Sequence, residues 1–200
     1  MSTPEFASAV FTVGQLNALV KIVGPENVPG ILDRSLKVVV KKPDLLERVA
    51  SIPVPSVHRF VAKDCLKKAN VGWTGSNFDK LFRDNVEENV PEVTLAASRL
   101  KQSSLDAPIL TELGDELGDR AEVSLAHVFD LLKRQAYGKP GVLLTNGYAN
   151  IFYVRDKDKA LWAVYAYWES VYRYWNVGAY SIEDSVRRWF NGRLVFSRDS

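Results

Sequence analysis

The sequence predicts an α+β fold, mainly helical in its N-terminal half and ending in a helix packed on an aromatic-rich antiparallel sheet of about four or five strands. Three observations carry that prediction. Apolar residues before position 102 recur at i, i+3 and i+4, the spacing of one helix face. After Gly141 the period switches to two, and the alternating segments are joined by connections too short for anything but antiparallel neighbours. Fourteen of the 22 aromatic residues fall between Tyr148 and Phe196.

Thr12 caps the first helix, which carries Val13, Leu16, Leu19, Val20 and Val23; Gln15 completes a capping box and Gly24-Pro25 stops it. Leu36–Lys41 reads as a strand, being β-branched and ending before Pro43. Asp44 is placed to cap a short helix with Leu45, Leu46 and Val49, and Ile52–Pro55 is extended because proline disfavours helical geometry in the residue before it. Ser56 opens a helix through Val57, Phe60, Val61 and Leu66, and Ser76 opens another through Phe78, Leu81, Phe82 and Val86. Residues 93–102 fit either a strand or a short helix.

Turn chemistry around Ser103–Pro108, loosened further by Gly114 and Gly118, marks a boundary. It divides a mainly helical region with a small strand component, 1–102, from a helix-plus-sheet region, 103–200, unless the two form one continuous domain. Ser124 caps a helix with Leu125, Val128, Phe129 and Leu132, closed by Gly138 and Pro140. Val142–Leu144 leads into Asn146-Gly147, a hairpin signal. Strands follow at Asn150–Arg155, Leu161–Trp168, Val171–Ile182 and Arg193–Arg198, with a helical turn at Ser185–Phe190.

Composition is that of an ordinary globular chain, 46% apolar and 25% charged. No apolar run reaches the roughly 20 residues that span a bilayer, and the first residues lack the basic start and apolar core of a signal peptide. One cysteine, Cys65, leaves no internal disulfide framework. The expectation is a soluble, cytoplasmic protein with no membrane partner. The net charge of +2 is uneven: +4 over residues 1–76, −7 over 77–132 and +5 over 133–200. Such asymmetry serves an anionic partner or two segments that face each other.

Catalytic signals are sparse. Two histidines, His58 and His127, and one cysteine are too few for a His/Cys zinc site, and no cofactor is expected. His58 and Cys65 share a predicted helix face but stand two turns apart, beyond dyad reach. Asp106, Glu112, Asp115, Glu116 and Asp119 cluster without the EF-hand order and read as a solvated loop. No G-x-S-x-G elbow, Walker A loop, Rossmann fingerprint or H-E-x-x-H occurs. The balance leans away from an enzyme.

The aromatic sheet is the feature that asks for a use. Along Leu161–Trp168 one face carries Trp162, Val164, Ala166 and Trp168, and the other Leu161, Ala163, Tyr165 and Tyr167. Either both faces are covered, or Tyr165, Tyr167, Tyr172 and Tyr174 form a platform near Arg173. Aromatic and arginine surfaces serve protein interfaces and also stack bases of single-stranded nucleic acid. In a regular strand Arg173 points away from the tyrosines, which favours a protein partner, a second copy included, over nucleic acid.

The series Asn146–Asp156, Leu161–Val164 and Ala179–Glu183, then Gly192–Arg198, with Asp106, Ile109 and Leu110 upstream, resembles a recurrent ending of uncharacterised bacterial proteins. The resemblance covers roughly the C-terminal half of the chain and brings no activity or functional residue with it. The sequence thus predicts a non-enzymatic binding or assembly protein that uses its aromatic sheet. The rivals are a nucleic-acid-binding protein, and an enzyme with a site between the halves supplied with carboxylates from 106–119.

Overall fold

The computed structural model describes residues 13–32, 44–114 and 120–199. Two units divide after Pro43. The first contains α1 (Val13–Val23), a 3₁₀ turn at Pro25–Asn27 and α2 (Val28–Leu32). The helix expected at 13–23 is present, and Gly24 at φ 81° supplies the left-handed residue that ends it. The strand expected at Leu36–Lys41 lies outside the described residues.

The second unit is mostly sheet. Its elements are β1 (Leu46–Val54), β2 (Val57–Val61), α3 (Ala62–Leu66), β3 (Val71–Thr74), α4 (Ser76–Leu81), β4 (Val86–Val90) and β5 (Val93–Leu100). They continue as α5 (Asp106–Glu112), α6 (Leu125–Arg134), β6 (Asn150–Arg155), β7 (Leu161–Glu169), β8 (Tyr174–Ser181) and β9 (Leu194–Arg198). Seven strands form one sheet in the order β1-β5-β9-β6-β7-β8-β3, and β2 and β4 form a separate ribbon. Pairing is antiparallel except for β6 with β9 and β3 with β8. The sheet draws strands from both sides of residue 102.

This overturns the mainly helical reading of the N-terminal half and the four- or five-stranded sheet. Residues 46–54 form a strand paired with β5, and the register slips between Arg48 and Ala50, leaving Val49 as a bulge. An extra residue breaks the period of two and leaves an apolar spacing that imitates a helix. At 57–61 the β-branched Val57 and Val61 favour a strand, and the ribbon buries Phe60 while Arg59 pairs with Glu88 across it. The helix at Ser76 is only six residues long, and Val86 belongs to β4 instead.

Two further expectations fail in the C-terminal half. Asn146-Gly147 closes no hairpin, because Val142–Leu144 is not a strand. The buried Gln135 side chain takes Leu143 N–H on its Oε1 (2.7 Å) and donates Nε2 to Leu143 O (3.2 Å). Asn150 does the same for Leu144 N–H (2.8 Å) and O (3.2 Å). Side-chain amides thus replace a ladder, meeting the requirement that buried backbone groups be paired. Ser185–Phe190 is not helical either: Asp184 Oδ1 accepts from the Val186 and Arg187 amides, and Trp189 bridges to Ser104. α6 and strands β6, β7 and β9 stand where the sequence places them, while β8 begins three residues later than expected, at Tyr174, because residues 171–173 belong to the turn.

The sheet has two unequal covers. On one face Phe152, Phe196, Trp168 and Trp175 pack in a core with Phe78 and Phe82 and with Phe129 of α6. On the other, Ile151, Tyr153, Ala163, Tyr165 and Val195 meet Ile109 and Leu110 of α5 and Trp189. The N-terminus of α6 is closed by Glu87 rather than by its own cap residue, since the Glu87 carboxylate accepts from Leu125 and Ala126 amides at 2.9 and 2.8 Å.

Gln135→Leu should lower unfolding stability by about 3 kcal/mol, because it strands both polar groups of Leu143 in the interior. Urea unfolding of the variant checks this, and a loss below about 1 kcal/mol would show that those groups find other partners.

Candidate functional site

The second face begins from a buried carboxylate. Asp106 starts α5 and is 1% exposed. Its Oδ1 accepts from Tyr153 Oη at 2.9 Å and Trp189 Nε1 at 2.8 Å. Oδ2 has no hydrogen-bond donor and faces Arg187 Nη2 at 3.8 Å. Burial pushes the Asp106 carboxyl above its ordinary range, although its two hydrogen bonds and Arg187 pull the other way. Burial and the adjacent Asp106 likewise push the Tyr153 phenol up. The sequence reading of Asp106 as part of a solvated loop is therefore corrected. Its place at i, with Ile109 and Leu110 at i+3 and i+4, puts it on the apolar stripe of α5. Glu112 is also engaged, accepting from the Leu45 and Leu46 amides, both at 2.6 Å. Residues 115–119 lie outside the described residues.

Above Asp106 the aromatic rings continue toward the sheet surface. Arg187 lies over the Tyr180 ring at 3.6 Å from its centroid, with Asp184 3.6 Å from its Nε. Tyr180 and Tyr165 are near-parallel with centroids 4.6 Å apart, and Tyr165 and Tyr167 follow at 6.4 Å. Near-parallel rings this far apart are offset rather than face to face. Antiparallel pairing sets Tyr165 opposite Gly178. A Cβ on Gly178 would fall inside the Tyr165 ring, so the missing side chain is what lets the tyrosine lie across β8. Gly72 makes the same room for Tyr174.

The four tyrosines named by the sequence are thus divided. Tyr165 and Tyr167 share a face and line one wall of a cleft; Tyr165 is buried and Tyr167 half-buried. Tyr174 opens β8, while Tyr172 sits in the preceding turn, 70% exposed and stacked on Tyr174 at 5.7 Å. Arg173 is a turn residue at φ 58° and not a strand residue.

What the sequence did not assemble is the arginine wall. Arg187, Arg188 and Arg193 line the same cleft as Tyr165 and Tyr167, which has a volume of about 210 Å³. Arg193 lies over two exposed rings, 5.0 Å from the Tyr148 centroid and 5.1 Å from that of Phe190. The one local signal was the run Arg187-Arg188-Trp189-Phe190, whose place beside β7 depends on the distant Ser104–Trp189 bridge.

The remaining candidates hold structural contacts. His58 is on β2 and Cys65 on α3, so they share no helix; His58 Nδ1 contacts Asn89 Oδ1 at 2.9 Å. His127 is buried: Nε2 lies 3.0 Å from Pro91 O, to which it donates, and Nδ1 accepts from Ser124 Oγ at 2.8 Å. Burial lowers its pKa, in keeping with a neutral ring. Among the described residues no group of three His, Cys, Asp or Glu side chains is placed to hold a metal ion, and no helix is long and apolar enough to cross a membrane.

A carboxyl whose pKa is higher in the folded than in the unfolded state holds its proton more tightly when folded. Its contribution to stability therefore falls as pH rises through the unfolded and then the folded value. Wild type should lose stability relative to Asp106→Asn as pH rises from the ordinary carboxyl value of about 4 through the raised folded-state value. Denaturant melts of both proteins across that range check the sign, and a difference that grows with pH would contradict the burial assignment.

No family model matches the chain, and no curated protein or solved structure is similar to it.

Proposed function

We propose that this is a non-enzymatic binding protein and that its recognition surface is the tyrosine face of the large sheet, ending in the arginine cleft. The observation that carries this reading is the cluster of Tyr148, Arg193 and Phe190 at the cleft rim, with the Arg193 guanidinium over both rings. Tyr148 is 45% and Phe190 61% exposed. Exposed aromatic and arginine side chains at one place are the residue types that carry binding energy at interfaces. Of the candidate carboxylates among the described residues of 106–119, Asp106 holds Tyr153 and Trp189 through Oδ1 and Glu112 holds two backbone amides.

A protein surface, a second copy of the chain included, and a single strand of nucleic acid both use such groups. A partner that carries anions fits the arginine wall. A cytoplasmic setting accords with the single cysteine, half-buried at the edge of the core.

The test is sedimentation of the full chain across concentration, beside titration with a single-stranded oligonucleotide and an acidic peptide. At least one of these interactions should appear and weaken about tenfold or more in Tyr167→Ser/Phe190→Ser, under conditions where the variant remains folded by its melting curve. A monomer that binds neither probe, or an interaction indifferent to both substitutions, would overturn the reading.

A further inference from the structure

We infer that the arginine cleft takes a nucleobase bearing a phosphate, as a free nucleotide or as one unit of a single strand. The inference rests on the tyrosine face being the recognition surface and goes further by naming what it recognises.

Charge comes first. Among the described residues neither Arg188 nor Arg193 has a carboxylate partner, whereas Arg187 is shared between Asp106 and Asp184. Two of the three cationic side chains at the cleft thus keep their charge for something outside the chain. No Asp or Glu lines the cleft, so an anion entering it meets no like charge on the walls. Burial lowers the pKa of Arg193. A guanidinium with reduced hydration gains more from a phosphate than a fully solvated one.

Ring chemistry comes second. Phe190 is exposed and shares the cleft with Tyr167, whose ring is only offset against Tyr165. Open aromatic faces beside arginines are what unpaired bases stack on, whatever their sequence. An acidic peptide would use the cations and leave the rings idle. Size comes third. At about 210 Å³ the cleft is below the roughly 300–1,000 Å³ of pockets that enclose drug-sized ligands. It has room for one ring, with the phosphate left at the rim beside Arg188 and Arg193.

The experiment uses the full chain. Fluorescence anisotropy reads binding of labelled 12-nucleotide U and dT strands across a salt series. Calorimetry reads adenosine and uridine monophosphates against inorganic phosphate, and a polyglutamate peptide competes as an anion without bases. Two phosphate contacts on a single strand give a slope of log K on log salt of roughly −1.4, and Arg188→Ala and Arg193→Ala should each remove about 0.7 of it. Phe190→Ala should weaken binding about tenfold and Phe190→Trp should restore it, because an exposed ring contributes by stacking and not to the core. Mononucleotide binding as tight as the strand's identifies a free nucleotide, and binding of strands alone identifies nucleic acid; either supports the inference.

If neither strand nor mononucleotide binds, or if polyglutamate competes equally and Phe190→Ala changes nothing, the inference is overturned. Should polyglutamate binding or self-association nevertheless depend on Tyr167 and Phe190, the tyrosine face remains the recognition surface and only the ligand class is wrong. If no probe binds and the chain is monomeric, both fall.

Discussion

Taking the Asp106 carboxylate out of water costs free energy, and the fold offsets that cost with the Tyr153 hydroxyl, the Trp189 indole N–H and the nearby Arg187 charge. Those partners come from β6 and from the segment between β8 and β9. One side chain therefore ties α5 and that segment to the middle of the second sheet face. The segment is irregular backbone, held by the Ser104–Trp189 bridge, the Asp106 bond, the arginine–tyrosine stack, the edge of Trp189 against Tyr165 and the backbone bonds that Gly192 and Arg193 make with Leu100. Remove the carboxylate and Tyr153 Oη and Trp189 Nε1 lose their shared acceptor, and Arg187 loses one of its two anionic neighbours. The cleft floor combines that buried polar interaction with the apolar packing of Trp189 and Tyr165.

The two faces of the sheet then follow different rules. The face that meets α6 is filled by the large rings Phe152, Phe196, Trp168 and Trp175, interleaved with Val164, Ala166 and Val177, and it is buried from Phe196 to Trp175. The other face carries tyrosines, whose hydroxyls tolerate a wet rim. Glycines opposite or beside them let the rings lie across neighbouring strands. Cover ends near Tyr165, and exposure rises through Tyr167 and Tyr174 to Tyr172. A surface of rings that is half-buried by its own neighbours is rigid before any partner arrives, which keeps the entropy loss on binding small.

Much of this was legible where local pattern and tertiary role agree. Leu125–Arg134 shows a clear apolar stripe and Leu161–Glu169 a clean alternation, and both fold as their spacing says. The alternation also placed Tyr165 and Tyr167 on one face. β1 escaped because a bulge at Val49 disturbs its period, and β2 and β4 because a two-stranded ribbon buries too few residues to show one. Asn146-Gly147 misled because the flanking backbone bonds to Gln135 and Asn150 side chains, which no turn signal encodes. The arginine wall stayed hidden since it forms across 22 to 28 positions of chain, from Tyr165 to Arg187 and Arg193, through a bridge that local periodicity cannot reveal.

The central claim is that one sheet face is sealed while the other opens progressively toward the tyrosine end. Hydroxyl-radical footprinting of the full chain, read residue by residue by mass spectrometry, measures that gradient directly. Phe190, Tyr148 and Tyr172 should react fastest, Tyr167 and Tyr174 more slowly, and Tyr153 and Trp175, both fully buried, least. Tyr153 or Trp175 reacting as fast as Tyr172 would contradict the account, since it would mean that the cover over that residue's face is not in place.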